Sequence, residues 1–109
     1  MAQTYKVLGQ INPAASTLTT LYTVPASTST IVSTISICNQ AATAATFRIA
    51  VRPAGASIAT QHYLNYDTPI SGNDTITLNL GITLAATDVI SANVSTTYIS
   101  VNAYGSEIS

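Results

Sequence analysis

Few side chains in this 109-residue chain are suited to acid–base or nucleophilic chemistry. His62 is the only histidine and Cys38 the only cysteine. A hydrolase with a Ser/His/Asp or Cys/His arrangement would have to use His62, oriented by an acid such as Asp67 or Asp88. The Gly-x-Ser-x-Gly pattern that positions the nucleophile of many hydrolases does not occur in the sequence. We therefore predict that the protein is not an enzyme.

Metal and cofactor sites are also disfavoured. One histidine and one cysteine cannot complete a zinc site of the usual composition within a single chain. Calcium needs six or more oxygen ligands, whereas pairs such as Asn73–Asp74 and Asn65–Asp67 are typical of turns in which short side chains bond their own backbone. The glycine-rich loop that holds phosphate groups is missing. We predict no metal and no cofactor.

Charged residues are scarce. Lys, Arg, Asp and Glu make up 6% of the chain and hydrophobic residues 47%, with a net charge of −1; an average soluble domain is about a quarter charged. Three basic residues cannot form the positive patch that sequence-independent nucleic-acid binding requires. A surface poor in ions repels copies of itself weakly, and the cores of protein interfaces are likewise poor in Lys and Glu. The composition predicts a subunit of an assembly that does not bind nucleic acid.

Length and cysteine content favour one cytoplasmically folded domain, which we place at residues 1–109. The single cysteine forbids an internal disulfide and fits a reducing compartment. Residues 1–6 do not have the basic start, apolar stretch and cleavage site of a secretory signal. Ser, Thr or Asn interrupts every apolar stretch well before the roughly 20 residues that a membrane span needs. We expect synthesis in the cytoplasm and no membrane span.

Apolar and polar residues alternate with a period of two through most of the chain, as in β-strands with one buried face. In the clearest segment Phe47, Ile49 and Val51 point inward and Ala50 outward. The same pattern is found at 76–80, where Leu80 is predicted to point inward. Further strands are predicted at 5–11, 19–24, 31–39, 62–66, 89–94 and 98–104.

Residues that favour turns separate these segments about every ten residues. They lie at 12–13, 24–27, 52–55 and 70–73. Short strands at this spacing, with no helical periodicity, predict two sheets packed face to face. We predict an all-β fold, a single β-sandwich of about eight antiparallel strands with jelly-roll or immunoglobulin-like topology. An antibody-type domain is disfavoured because the chain has one cysteine and no tryptophan.

The predicted outer faces carry Thr, Ser, Asn and Ala where Lys and Glu are usual, so the edge strands have little charge to discourage pairing. We therefore expect edge pairing and face packing with other subunits. Arg48 and Arg52 share one outer face, where they either anchor a partner carboxylate or remain solvated.

The stretch His62–Asp67 combines aromatic and polar side chains, which suits it to a contact surface. Two interpretations remain open. The stretch packs against another subunit, or it binds a glycan through Tyr63, Asn65 and Asp67.

Five phrases carry a resemblance to a known class of protein. They are LTTLYTVP at 18–25, FRIAVRPAG at 47–55, HYLNYD at 62–67, GNDT at 72–75 and NAYGSEI at 102–108. In these phrases the chain resembles the small all-β virion proteins of tailed bacteriophages, in particular the capsid decoration, or cement, proteins of phages that infect cyanobacteria and other aquatic bacteria. The resemblance extends nearly end to end. Similar sandwich modules occur in phage tail fibres and spikes.

The resemblance implies a homotrimer on the outer face of an icosahedral capsid, with the major capsid protein as partner and no catalytic residues. We expect the Thr- and Ser-rich faces to pack in the trimer, and loops or the arm Met1–Leu8 to meet the shell. The candidate interface residues are Tyr5, Lys6, Arg48, Arg52, His62, Tyr63 and Tyr66. The alternative is a tail-fibre or spike module that recognises a host surface glycan.

Overall fold

A computed structural model describes residues 2–79 and 81–109, and its regular structure is almost entirely β-strand. The strands are β1 (Gln3–Ile11), β2 (Thr19–Thr23), β3 (Ser29–Asn39), β4 (Ala45–Arg52), β5 (Tyr63–Ile70), β6 (Asp74–Leu78), β7 (Ile82–Leu84), β8 (Val89–Val94) and β9 (Ile99–Ile108). Two short 3-10 turns, Pro53–Gly55 and Thr60–His62, lie between β4 and β5. The predicted all-β fold is confirmed. Met1 and the inward position predicted for Leu80 lie outside the described residues.

The strands form two antiparallel sheets that pack face to face. Sheet A has the order β1-β9-β3-β6, with β7 also paired to β3, and sheet B has the order β2-β8-β4-β5. β6 pairs with the Ile35–Asn39 half of β3 and β7 with the Thr30–Val32 half, so the two behave as one interrupted strand. With β6 and β7 counted once, this is the strand order of a jelly roll and not of an immunoglobulin domain.

Strand pairing joins the first half of the chain to the second. β1 pairs with β9, β2 with β8, β3 with β6 and β7, and β4 with β5. The chain is therefore one long hairpin bent at residues 53–62. Further pairing of β3 with β9 and of β4 with β8 winds this hairpin into the two sheets.

The core lies between the sheets and is filled by the inward side chains that the alternation predicts. Its largest fully buried members include Phe47, Ile35, Ile37, Ile49, Ile90, Ile99 and Val101, all predicted to point inward, and also Ile70, which the sequence pattern places in a turn. Ile76 and Leu78, also predicted to point inward, are half-buried and pack against this core from β6. Several predicted bounds change; for example, β5 begins after His62 and continues to Ile70, and β9 continues to Ile108. The three-residue strand β7 is not predicted by the alternation, since it is too short to show a period.

Ala50 lies on the outer face of β4, as predicted, but this face is covered there, because only 1% of Ala50 is exposed. It lies opposite Ser91, which is also buried. Arg52 lies across this part of the outer face of sheet B, donating from Nε to Ser91 Oγ at 3.2 Å and from Nη1 to the Ala56 carbonyl at 3.1 Å. The turn Thr60–His62 also packs against β4. Alternation along a strand does not show that a following loop covers its outer face.

One fully buried polar side chain, Asn39, joins two turns at one end of the sandwich. Its Nδ2 donates to the carbonyl oxygens of Thr43 and Ser71 at 2.9 and 3.3 Å, and its Oδ1 accepts from the Ala41 amide at 3.0 Å. A side chain at Gly72 would not fit here, because its Cβ would lie 2.2 Å from a carbonyl oxygen of the facing turn. Asn39 therefore holds the β3–β4 turn against the β5–β6 turn.

Replacing Asn39 by Ala is expected to lower the free energy of unfolding by about 2–3 kcal/mol, because three backbone groups lose their partner where water is largely excluded. The matched control is Asn102→Ala on the outer face of β9, since its side chain makes no hydrogen bond within the described residues; we expect a change of less than about 0.5 kcal/mol. Chemical denaturation followed by tyrosine fluorescence measures both. Equal losses in the two variants would contradict the role given to Asn39.

Candidate interaction surfaces

The outer face of sheet A carries a group of exposed apolar side chains, which we call the sheet A patch: Tyr5, Val7, Ile31 and Tyr104. Strand register brings them together, because Val7 lies opposite Tyr104, while Tyr5 and Ile31 flank Ser106 from β1 and β3. Tyr5 is 79% exposed. Three of them, Tyr5, Ile31 and Tyr104, line a shallow cavity of about 530 Å³. The patch is thus a concave, largely apolar surface open to solvent.

The patch continues onto β1, which forms an edge of sheet A. β1 pairs with β9 on one side only, and most of its nine residues are exposed. Edge strands are usually protected by charges, prolines or bulges. The edge strand β5 of sheet B has such protection in Pro69 and a bulge. β1 has only Lys6 and a bulge near Gly9, so its edge is the less protected of the two.

Lys6 belongs to a polar cluster that closes one end of the sandwich. Its Nζ lies 3.3 Å from Glu107 Oε1, and the buried Tyr22 hydroxyl donates to the other carboxylate oxygen of Glu107. The Thr30 hydroxyl lies 2.8 Å from the Tyr22 oxygen. Tyr22 comes from sheet B and the other three residues from sheet A, so the cluster ties the two sheets together.

The cluster shifts two pKa values in opposite directions. Burial, followed by the hydrogen bond to Glu107, raises the pKa of Tyr22 to about 12. The hydrogen bond from Tyr22 is the main cause that lowers the pKa of Glu107, with Lys6 acting in the same direction and burial opposing both. The folded protein therefore favours a neutral Tyr22 beside an ionised Glu107.

A second cluster lies on the outer face of sheet B and is built by a β-bulge. Between the pairs Phe47–Thr68 and Ile49–Asn65, β4 contributes Arg48 alone while β5 contributes both Tyr66 and Asp67. Such a two-against-one bulge redirects side chains. Asp67 adopts the left-handed conformation, with φ 49°, which aspartate tolerates better than most residues.

The bulge directs both β5 side chains toward the Arg48 guanidinium. Nε donates to Asp67 Oδ1 at 2.7 Å and Nη2 donates to Oδ2 at 3.2 Å. The guanidinium carbon lies 4.0 Å from the centroid of the Tyr66 ring, and Tyr63 meets Tyr66 edge to face at 5.0 Å. The hydrogen bonds from Arg48 hold the pKa of Asp67 below its ordinary value, and Asp67 raises the pKa of Arg48. The arginine is thus fixed in place by its own chain.

The residues predicted as an interface fall into three groups. Tyr5 and Lys6 lie on the exposed edge strand β1, and Arg48, Tyr63 and Tyr66 form the cluster on sheet B. The remaining two residues make hydrogen bonds to the segment that connects β4 and β5. Arg52 donates to the Ala56 carbonyl, as described above. His62 Nδ1 accepts a hydrogen bond from the Ala59 amide at 3.1 Å. Arg48 and Arg52, considered as anchors for a partner carboxylate, both have partners in their own chain.

Sequence reasoning missed the other members of the sheet A patch. Alternation places Tyr104 on an outer face, but only the pairing of β1, β9 and β3 brings Val7 and Ile31 beside it. Within residues 2–79 and 81–109, no three His, Cys, Asp or Glu side chains come close enough to hold a metal ion, and no helix is long and apolar enough to cross a membrane.

Stability is expected to fall at both extremes of pH because of the contact between Tyr22 and Glu107. Glu107 has a folded pKa below its ordinary 4.5, so its contribution is present above that value and is lost as the pH falls through the folded pKa. Tyr22 has a folded pKa of about 12 against an ordinary 10.0, so its contribution is present below pH 10 and is lost as the pH rises toward 12. The alkaline loss amounts to roughly 2–3 kcal/mol.

Tyr22→Phe is expected to remove this alkaline loss and to weaken the acid loss, because Phe can neither ionise nor donate to Glu107. Free energies of unfolding measured by chemical denaturation across the pH range test this. Tyr98→Phe, which alters an exposed tyrosine, should keep the original profile. If Tyr22→Phe also kept it, the cluster would not control the pH dependence.

Comparison with known proteins identifies no relative of this chain. No protein family model matches the chain, and neither a curated protein nor a solved structure matches it. The function therefore has to be inferred from the chain's own surfaces, the sheet A patch and the Arg48 cluster.

Proposed function

We propose that the protein is a bacteriophage capsid decoration protein, a non-enzymatic virion component that binds the outer surface of an icosahedral shell as a homotrimer. The observation that carries this proposal is the sheet A patch beside the weakly protected edge of β1. Exposed tyrosine and aliphatic side chains favour burial against protein, and the charge of Lys6, which lines the same cavity, is already paired with Glu107 at 3.3 Å. The five phrases that resemble decoration proteins suggest the major capsid protein as partner.

The jelly-roll order of the strands supports the same proposal. This architecture is common among viral capsid and lectin domains, although a fold alone does not determine function. The outer face of sheet A packs in the trimer, and the N-terminal part of β1 contacts the shell. The protein is made in the bacterial host cytoplasm and functions on the capsid surface.

A trimer suits the task of stabilising a shell. Three linked subunits repeat the same weak contacts, and linkage raises avidity by roughly 10² to 10⁴ over a single contact. A protein that binds only the assembled shell stabilises it by mass action against the pressure of packaged DNA. Weak individual contacts between uncharged surfaces are therefore sufficient.

A tail-fibre or spike module that recognises the host surface is the second candidate. The observation that favours it is the Arg48 cluster, which places two tyrosines and a fixed ion pair on an outer face. Antibodies against the protein distinguish the two candidates on intact particles. They should label the whole shell if the protein is a decoration protein, and only the tail if it is a fibre module.

The double variant Tyr5→Ser, Ile31→Ser is expected to weaken both trimer formation and shell binding by tenfold or more, since it removes two exposed apolar groups from the patch. Light scattering measures the mass, and co-sedimentation with undecorated shells of the major capsid protein measures binding. The control is Tyr98→Ser, because Tyr98 is similarly exposed but precedes the opposite end of β9. A native protein that is monomeric and does not sediment with shells would overturn the proposal.

A further inference from the structure

A groove of about 380 Å³ opens on the outer face of sheet B beside the Arg48 cluster. Its walls come from β4, β5, the end of β8 and the connection between β1 and β2, and its polar lining residues are Ser16, Thr46, Arg48, Asp67, Asn93 and Ser95. These segments belong to sheet B or lie against it. The groove is therefore on the opposite side of the sandwich from the sheet A patch.

Hydrogen bonds between the walls fix the shape of the groove. The Ser16 amide donates to the Val94 carbonyl at 2.7 Å, and the Ser95 amide donates to the Thr46 carbonyl at 3.0 Å. The Thr46 amide donates in return to Ser95 Oγ at 2.9 Å. Because the backbone is already bonded across the groove, a ligand would find a preformed site.

The chemistry of the lining narrows the class of ligand. Arg48 and Asp67 neutralise each other, so the groove offers an anion no free positive charge. A metal ion would find one carboxylate, already bonded to Arg48, where it needs several. The groups that remain available to a ligand are neutral hydroxyl and amide groups. They surround the Arg48–Asp67 pair, which offers one fixed donor and one fixed acceptor. This set is complementary to a neutral molecule that is rich in hydroxyl groups.

The Arg48–Asp67 pair is suited to two adjacent hydroxyl groups. A carboxylate oxygen accepts from one hydroxyl, while the Nη1 of Arg48, which is not used in the bonds to Asp67, donates to the next. Both side chains are held by bidentate hydrogen bonds and by the ring beneath the guanidinium. Little side-chain freedom is therefore lost on binding.

Tyr66 supports the guanidinium of Arg48 from outside the groove. The guanidinium carbon lies 4.0 Å from the centroid of the Tyr66 ring and covers one face of it, and Tyr66 is not among the residues that line the groove. Tyr63 packs perpendicular to the same ring at 5.0 Å. The bulge, which contributes both Tyr66 and Asp67 opposite Arg48, therefore holds the arginine by its ring contact and by its ion pair.

We propose that this groove is a binding site for a neutral saccharide, with Arg48 and Asp67 bonding two adjacent hydroxyls and Tyr66 holding the Arg48 guanidinium in position. The site does not depend on the decoration function, because it shares no residue with the sheet A patch. It gives the protein a second surface, directed at carbohydrate instead of at protein.

Amide chemical shifts of the full chain, recorded during titration with glucose, galactose, mannose and dextran, test the proposal. At least one of these probes should shift the amides of Thr46, Asn93 and Ser95 saturably, with a dissociation constant on the order of 1 mM for a monosaccharide. Inorganic phosphate should leave these signals unchanged. No response of the groove to any of the four sugars, or a response to phosphate alone, would overturn it.

Two variants test the roles of the side chains, and their spectra show at once whether the fold is retained. Tyr66→Ala should weaken binding by about tenfold through loss of the ring that holds Arg48 in position, and Asp67→Asn should weaken it at least as much. The control, Tyr5→Ser on the opposite sheet, should bind sugar like the native chain even if it no longer binds shells. If both the Tyr66→Ala and the Asp67→Asn variants bound sugar with native affinity, the sugar would bind elsewhere.

Discussion

The fold depends on a dry contact between two sheets, each of which combines strands from both halves of the chain. Phe47 of β4 and Val101 of β9 are fully buried from opposite sheets. No single hairpin can bury such residues alone, because the second sheet must be present to exclude water. The outer faces are positioned by this contact, since every inward side chain determines which of its neighbours points outward.

The few charged side chains of the protein are engaged in contacts within the molecule. All seven charged side chains make at least one hydrogen bond to another residue: Lys6 and Glu107, Arg48 and Asp67, Arg52, Asp74 and Asp88. Asp88, for example, accepts from the amides of Ala54 and Ala85, both at 2.9 Å, and thereby holds two loops together. The chain thus presents an apolar patch on one sheet and, on the other, a polar groove in which the charges of Arg48 and Asp67 compensate each other.

The sequence pattern was sufficient to predict the all-β fold and the main core, because alternation along each strand depends only on neighbouring residues. Ile35, Ile37 and Phe47 are buried as predicted. The strand order was not predictable, since β1 pairs with β9 across almost the whole chain and no local signal records this. The joining of Tyr5 to Ile31 has the same cause, because it depends on the pairing of distant strands with β9. The burial of Ala50 depends instead on the loop after β4, whose path alternation does not show. The Arg48 cluster depends on a one-residue bulge, which alternation cannot show.

The pairing of the two chain halves also has a consequence for biosynthesis. When β1, β2 and β3 leave the ribosome, β9 has not yet been translated, so the final neighbour of both β1 and β3 is missing. Folds dominated by such distant pairings form slowly, on a scale of roughly milliseconds to seconds. During this interval the nascent chain exposes apolar stripes with almost no charge to keep copies apart. Until β9 emerges, a slower rate of translation therefore prolongs the exposure of these stripes, and chaperones that cover them reduce aggregation.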